Sequence, residues 1–182
     1  MLQVKRQAAT LSVSPLQLYG ENLSWAPKVK YLGLTIDRRL SMSDHVNVTV
    51  NTTRLARAKL RPVFASTLTL RTKLLIYKAY IRSRLTYAAP AWYALTSKAQ
   101  RGRLQAQQNL TLRTIVGATR YVRNDVILRD LQMETLDEFV RRLAKGMFAR
   151  TERSNFPLVR DLAPLHARPP EVPRRMARDL IA

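Results

Sequence analysis

Between residues 69 and 88 the apolar positions recur at helical spacing. Leu70, Leu74, Tyr77, Ile81, Leu85 and Ala88 fall within about 80° of one another at 100° per residue. That stripe predicts an amphipathic helix opening at Thr69 and ending near Ala88, before Pro90. An earlier helix is predicted from Ser41, where Ser41-Met42-Ser43-Asp44 fits a capping box with a shortened acid, to about Arg61, before Pro62. Ser97 caps a third helix that ends at Gly117, and Asn124 caps a short fourth one through Leu131. Thr135-Leu136-Asp137-Glu138 is a fuller capping box and opens a helix to about Arg150. Its apolar stripe is Leu136, Phe139, Val140, Leu143 and Met147, with acids in the first turn and bases later, as the macrodipole favours.

The first 40 residues change period and read as strands. Ala8 to Val13 is a short apolar-polar run. Leu16–Tyr19 and Leu23–Trp25 flank Gly20-Glu21-Asn22, which has turn chemistry, so a hairpin is expected there. Val29 to Asp37 alternates well enough for a further strand, interrupted by Gly33, where a bulge or a close backbone approach is expected. Strands with this little apolar cover make a poor independent sheet, as if a domain had begun upstream. Beyond Phe156, prolines at 157, 164, 169, 170 and 173 predict a linker or extended tail. The predicted fold class is mainly α with a small N-terminal antiparallel β element (α+β).

Charge changes this picture more than composition does. From His45 to Asn124 the chain runs 80 residues without Asp or Glu while carrying 15 Lys and Arg. The flanking segments are nearly balanced, with 6 basic and 3 acidic residues before the span and 11 and 9 after it. Such a surface attracts polyanions, of which nucleic acid is the commonest large one; the alternative is a solvated Arg-rich face. A 46% hydrophobic content is globular rather than that of a disordered basic tail.

Placed on helices, the bases form stripes. Arg54, Arg57 and Arg61 lie within about 60° on the first helix. Arg71, Lys78 and Arg82 form a stripe on one flank of the second helix, and Lys73, Tyr80, Arg84 and Tyr87 occupy the other. Cations beside aromatic rings suit nucleic acid, since the cations neutralise phosphate and the rings stack on sugar or base. Tyr80 and Tyr87 could equally pack into the core with their hydroxyls at the surface.

Several chemistries are excluded. Cysteine is absent, so there is neither a disulfide nor a thiolate metal site, and His45 and His166 cannot build a zinc centre by themselves. The acids are scattered, whereas metal-dependent polymerases and nucleases need clustered carboxylates. Asp37 and Asp44 read as turn and cap. No apolar run is long enough to span a membrane, and no apolar run follows Lys5 and Arg6, so a membrane partner and a secretory signal are not expected. An intracellular setting follows as the expectation.

Four ordered motifs carry a resemblance. Val29-Lys30-Tyr31-Leu32-Gly33-Leu34-Thr35-Ile36-Asp37 with Leu40 and His45, the run Leu74 to Trp92 ending in Tyr87-Ala88 and Trp92, Leu112-Arg113-Thr114-Ile115-Val116-Gly117-Ala118, and Tyr121-Val122-Arg123-Asn124 together resemble reverse transcriptases of jockey-like non-LTR retrotransposons. Ser41-Met42-Ser43 departs from the family pattern, which has a Trp there.

The resemblance implies that residues 1–40 are the last palm strands with a primer-grip-like hairpin at Tyr31, Leu32 and Gly33. Residues 41–120 would be a basic, thumb-like helical domain, 121–155 C-terminal helices and 156–182 a Pro-rich tail. The implied partner is template–primer nucleic acid, an RNA–DNA hybrid or duplex bound through its backbone without sequence preference, together with the rest of the polymerase. Catalytic aspartates, Mg and deoxynucleotides would belong to a palm upstream. This chain alone would be inactive, without cofactor or metal of its own, in a nuclear or cytoplasmic ribonucleoprotein. A stand-alone basic binding module and a ribonucleoprotein structural component are the alternatives.

Overall fold

The computed structural model describes residues 16–160 apart from Leu23 and Trp25. The strand expected at Ala8–Val13, part of the arm at Leu23–Trp25 and the tail beyond residue 160 lie outside the described residues.

Two hairpins open the described chain. Gln17–Leu18 (β1) pairs antiparallel with Glu21–Asn22 (β2), and Lys28–Tyr31 (β3) with Leu34–Asp37 (β4), in two separate two-stranded sheets. The turns are Tyr19-Gly20 (φ 51° and 82°) and Leu32-Gly33 (φ 45° and 82°). Two residues with positive φ match the twist of the flanking strands, and glycine takes the second place without strain. Two expectations are corrected by these turns. The first hairpin turns at Tyr19-Gly20, so that Glu21 and Asn22 enter the ladder. Val29–Asp37 is not one strand but folds back on itself, with Tyr31 opposite Leu34 and Val29 opposite Ile36.

Ser43–Ala65 (α1) begins differently from the expected box. Met42 precedes it with φ 57° and makes no side-chain cap. Ser41 is taken by the turn before it, because the Asp37 carboxylate accepts from the Ser41 N–H at 2.7 Å and from its hydroxyl. Burial would raise the Asp37 pKa, but these Ser41 bonds outweigh it and hold the carboxyl below its ordinary value. The helix also runs through Pro62 rather than stopping before it. Three residues of helix after Pro62 bring Phe64 to a fully buried place, where core packing overrides the lost backbone bond.

Thr69 caps Leu70–Ile76 (α2), its side chain accepting from the Thr72 N–H. The helix continues as a π-helical turn, Tyr77–Arg82, and closes with Ser83–Leu85 (α3). Tyr77, Ile81 and Leu85 are buried as the stripe predicts, but Leu70 at its start is exposed, and the helix ends at Leu85 rather than near Ala88, so that Ala88, with φ 48°, is exposed and Ala89 is buried instead. Ala89–Trp92 (α4) and a short 3-10 turn, Tyr93–Leu95, lead to Lys98–Val116 (α5). As predicted, α5 is capped by Ser97 and ended by Gly117 at φ 64°. Asn124–Asp130 (α6) starts one residue before its expected interior, with Arg123 rather than Asn124 at the cap. Leu136–Glu152 (α7) carries the predicted box, Thr135 and Glu138 each bonding the other's backbone N–H, and Pro157–Arg160 (α8) follows.

One buried cluster runs from Met42 to Ala144 and gathers Val46, Tyr77, Trp92, Leu104, Leu112 and Val140 from α1 through α7. A polar thread crosses it. The Tyr77 hydroxyl donates to Gln108 Oε1 at 3.0 Å, and Gln108 Nε2 donates to the Glu134 carbonyl at 2.7 Å. Gln105 Oε1 accepts from the Leu136 N–H at 2.8 Å, so α5 fixes the start of α7 from both sides. Every polar atom of this thread is paired, which lets it sit inside an apolar core.

Candidate nucleic-acid interface

The β3–β4 hairpin is held against the helices by a closed circuit of contacts. The Tyr87 hydroxyl donates to the Leu32 carbonyl at 3.2 Å. The Tyr87 carbonyl accepts from the Trp92 indole N–H at 2.8 Å. The Trp92 ring meets His45 edge-on, with centroids 4.7 Å apart and planes at 75°. His45 Nδ1 in turn accepts from the Thr35 N–H at 3.4 Å, back in the hairpin. Because that nitrogen accepts, His45 sits as the neutral imidazole with its proton on Nε2, and burial lowers its pKa. Two local features set the circuit up. Ala88 takes φ 48°, which turns the chain so that Trp92 reaches back to Tyr87. Gly33 has φ 82°, and a Cβ there would stand 3.2 Å from Tyr87 Cε1. The close approach that Gly33 permits in this structure is therefore to the Tyr87 ring.

Beside this circuit runs an open groove of about 610 Å³, lined by Thr49, Thr52 and Ala79 together with Gly33, Tyr80, Arg84 and Tyr87. Tyr80 and Tyr87 are 54% and 56% exposed, so both rings present a face to solvent rather than packing into the core. The Arg84 guanidinium donates to the Tyr80 carbonyl, which lays the charge along the helix beside the ring. The structure thus brings the Leu32-Gly33 turn together with Tyr80, Arg84 and Tyr87, two sets that are about 50 positions apart in sequence. Tyr31 is exposed on β3.

The other predicted residues lie elsewhere. Arg54, Arg57 and Arg61 line a groove between α1 and α5, with Arg57 Nη1 donating to Gln107 Oε1 at 3.0 Å. Arg71 and Lys78 flank a shallow apolar depression at Leu70, Leu74 and Leu75, and Lys73 is half-buried near it on α2. Arg82 leaves the line of Arg71 and Lys78. Its guanidinium lies 4.0 Å from the centroid of the Phe139 ring on α7, half-buried, and that burial lowers its pKa. None of Arg54, Arg57, Arg61, Arg71, Lys73, Lys78 and Arg84 forms an ion pair with a carboxylate among the described residues. The acids are engaged elsewhere: Asp44 with Lys28, Asp137 with Arg101 and Arg141, and Glu134 with Arg142.

Three residues of the family-like motifs acquire roles that spacing did not indicate. His45 and Trp92 close the circuit, and Arg113 holds the segment after α5. The Arg113 guanidinium donates to Asn124 Oδ1 at 3.0 Å, to the Thr119 carbonyl at 2.7 Å and to the Val122 carbonyl. Their presence in the family-like motifs was the available signal. No group of three or more His, Cys, Asp or Glu among the described residues is placed to hold a metal ion, and no described helix is long and apolar enough to cross a membrane.

Comparison with known proteins agrees with the motifs. The chain is 32% identical over 158 residues to a probable RNA-directed DNA polymerase from transposon BS of Drosophila melanogaster, covering 86% of this chain and 17% of that protein. It is 37% identical over 158 residues to the probable RNA-directed DNA polymerase from transposon X-element of the same species, covering 84% and 17%. With the RNA-directed DNA polymerase from mobile element jockey it shares 30% over 143 residues, covering 78% and 16%. The chain spans about 17% of the length of the first of these relatives. No protein-family model and no solved structure matches it. Sequence identity over most of its length makes the chain a homologue of one segment of the RNA-directed DNA polymerases of jockey-like, non-LTR retrotransposons.

Proposed function

We propose that this chain is a thumb-like grip of such a polymerase, binding template–primer duplex through its sugar-phosphate backbone at the groove beside the Leu32-Gly33 turn. The observation that carries the reading is the junction of that turn with Tyr80, Arg84 and Tyr87. A rigid turn, two exposed rings and a guanidinium without a carboxylate partner among the described residues face one groove. Ring faces and a cation recognise sugar and phosphate, which every sequence presents alike. The acid-free span supplies long-range attraction for the same partner. Polymerisation chemistry, with its metal ions and deoxynucleotides, is assigned to other parts of the polymerase. The chain's own contribution is to hold the duplex in register with them, inside the element's ribonucleoprotein.

The test is binding of the purified chain to an RNA–DNA heteroduplex by fluorescence anisotropy over a salt series. Arg84→Gln combined with Tyr80→Ala is expected to weaken binding by about tenfold for unrelated sequences alike and to lower the salt slope by about 0.9. Unchanged affinity in that variant, or a wild-type chain that ignores heteroduplex, would overturn the reading.

A further inference from the structure

We propose that the groove between α1 and α5 is a second nucleic-acid site, separate from the hairpin groove, and that it takes an unpaired strand. The proposal rests on reading the chain as a nucleic-acid-binding part of the polymerase and divides that task between two surfaces. At 100° per residue, Asn51, Arg54, Ala58 and Arg61 lie roughly 150° around α1 from His45, Val48, Thr49 and Thr52, which face the hairpin groove. Buried Val46, Val50 and Thr53 fill one arc between them, while on the solvent side exposed Leu55 stands only about 20° from exposed Val48, so the two grooves face different directions but adjoin along that one strip of α1.

The α1–α5 groove has a volume of about 820 Å³, with apolar lining from Leu55, Ala58 and Leu110 and a rim of the exposed Arg54 and Arg61 side chains. Leu55 and Leu110 remain 65% and 46% exposed in it. Arg54 to Arg61 spans about 10 Å along the helix, a reach suited to a few consecutive phosphates of one strand. Arg57 is the fixed member, half-buried and donating to the side-chain amide oxygen Oε1 of buried Gln107. Burial, and then the nearby Arg54 charge, lower its pKa, so the cluster carries mutual repulsion that an anion would relieve. A duplex keeps its base faces stacked inside and would meet only the rim. An unpaired strand exposes sugar edges and base faces that can lie on Leu55 and Leu110 while its phosphates meet the rim and the Asn51 amide bonds a base or sugar edge. An acidic peptide could meet the charge but would leave the apolar lining at Leu55 and Leu110 without flat partners.

The experiment compares an oligouridylate RNA with a heteroduplex, using the full chain and the variant Arg54→Gln/Arg61→Gln. Both side chains are exposed, and an unchanged thermal melt checks that the fold is retained. Oligouridylate affinity is expected to fall by about tenfold and its salt slope by about 1.4, while heteroduplex affinity stays within about twofold. Equal losses for both ligands would mean one shared surface and overturn the proposal, as would unchanged oligouridylate binding. Tighter binding of a polyglutamate peptide than of oligouridylate, lost in the same variant, would assign the groove to a protein instead. A wild-type chain that binds oligouridylate but not heteroduplex would overturn the grip reading alone.

Discussion

The Tyr87 hydroxyl donates to the Leu32 carbonyl at 3.2 Å across 55 positions of sequence. This bond joins the β3–β4 turn to the end of the helix that carries Tyr80 and Arg84, and the Trp92 and His45 contacts close the loop behind it. A turn held from two sides is stiff, and a grip needs a stiff element to define where a duplex lies.

Gly33→Ala should strain this junction twice, through its φ of 82° and through the 3.2 Å approach to the Tyr87 ring. The expected loss is about 1–2 kcal/mol in urea unfolding. In a Tyr87→Leu background only the backbone part should remain, so Gly33→Ala should cost less there than in the wild type, and an equal cost in both backgrounds would refute the ring contact.

Stability should fall in mild acid because of His45. Burial lowers its folded-state pKa, so as pH drops the unfolded chain takes up the proton first. Its contribution is complete above about pH 6.5 and declines below that value, until pH passes under the folded pKa. Urea midpoints between about pH 5 and 8 should show a slope in the wild type that flattens in His45→Gln.

Arg82 and its predicted companions should separate by readout. Arg82→Gln removes a cation from the Phe139 face and is expected to cost about 1 kcal/mol of stability. Arg71→Gln with Lys78→Gln, both exposed, should leave the thermal melt within about 0.5 kcal/mol. Heteroduplex titrations of that pair would show whether the flank touches phosphate, with a salt slope lower by up to about 1.8 if it does.

Tyr77→Phe should leave Gln108 Oε1 buried without its donor and cost about 1–2 kcal/mol. Arg113→Ala should be felt locally, as faster amide exchange in residues 118–124 with a smaller change in α1, because three of its bonds close that segment. Uniform protection loss across the chain would contradict this local role.

Periodicity and capping residues determined most of the helical frame. Ser97, Gly117, Thr135 and Glu138 act locally, so their effect is written in a few adjacent letters. Local reading failed where distant packing, or a competing bond from a near neighbour, outweighed the local signal. Helix α1 passes Pro62 because Phe64 has a core to enter, and the stripe fails at Ala88 because the helix ends at Leu85 and the chain turns at Ala88 with φ 48°. Ser41 leaves its cap because Asp37 is close enough to claim it.

The candidate residues were legible as charge and aromatic stripes, and the resemblance marked the Leu32-Gly33 turn. Sequence by itself determined the acid-free span, the helix frame and the identity of the groups available to a polyanion. Only the tertiary structure decided which of them share a surface. It set Arg84 beside the turn, moved Arg82 onto Phe139 and put Arg54 and Arg61 on the far flank of α1. Helical periodicity fixes a residue's angle about its own axis, whereas the neighbour it meets depends on how two axes cross and on every side chain packed between them.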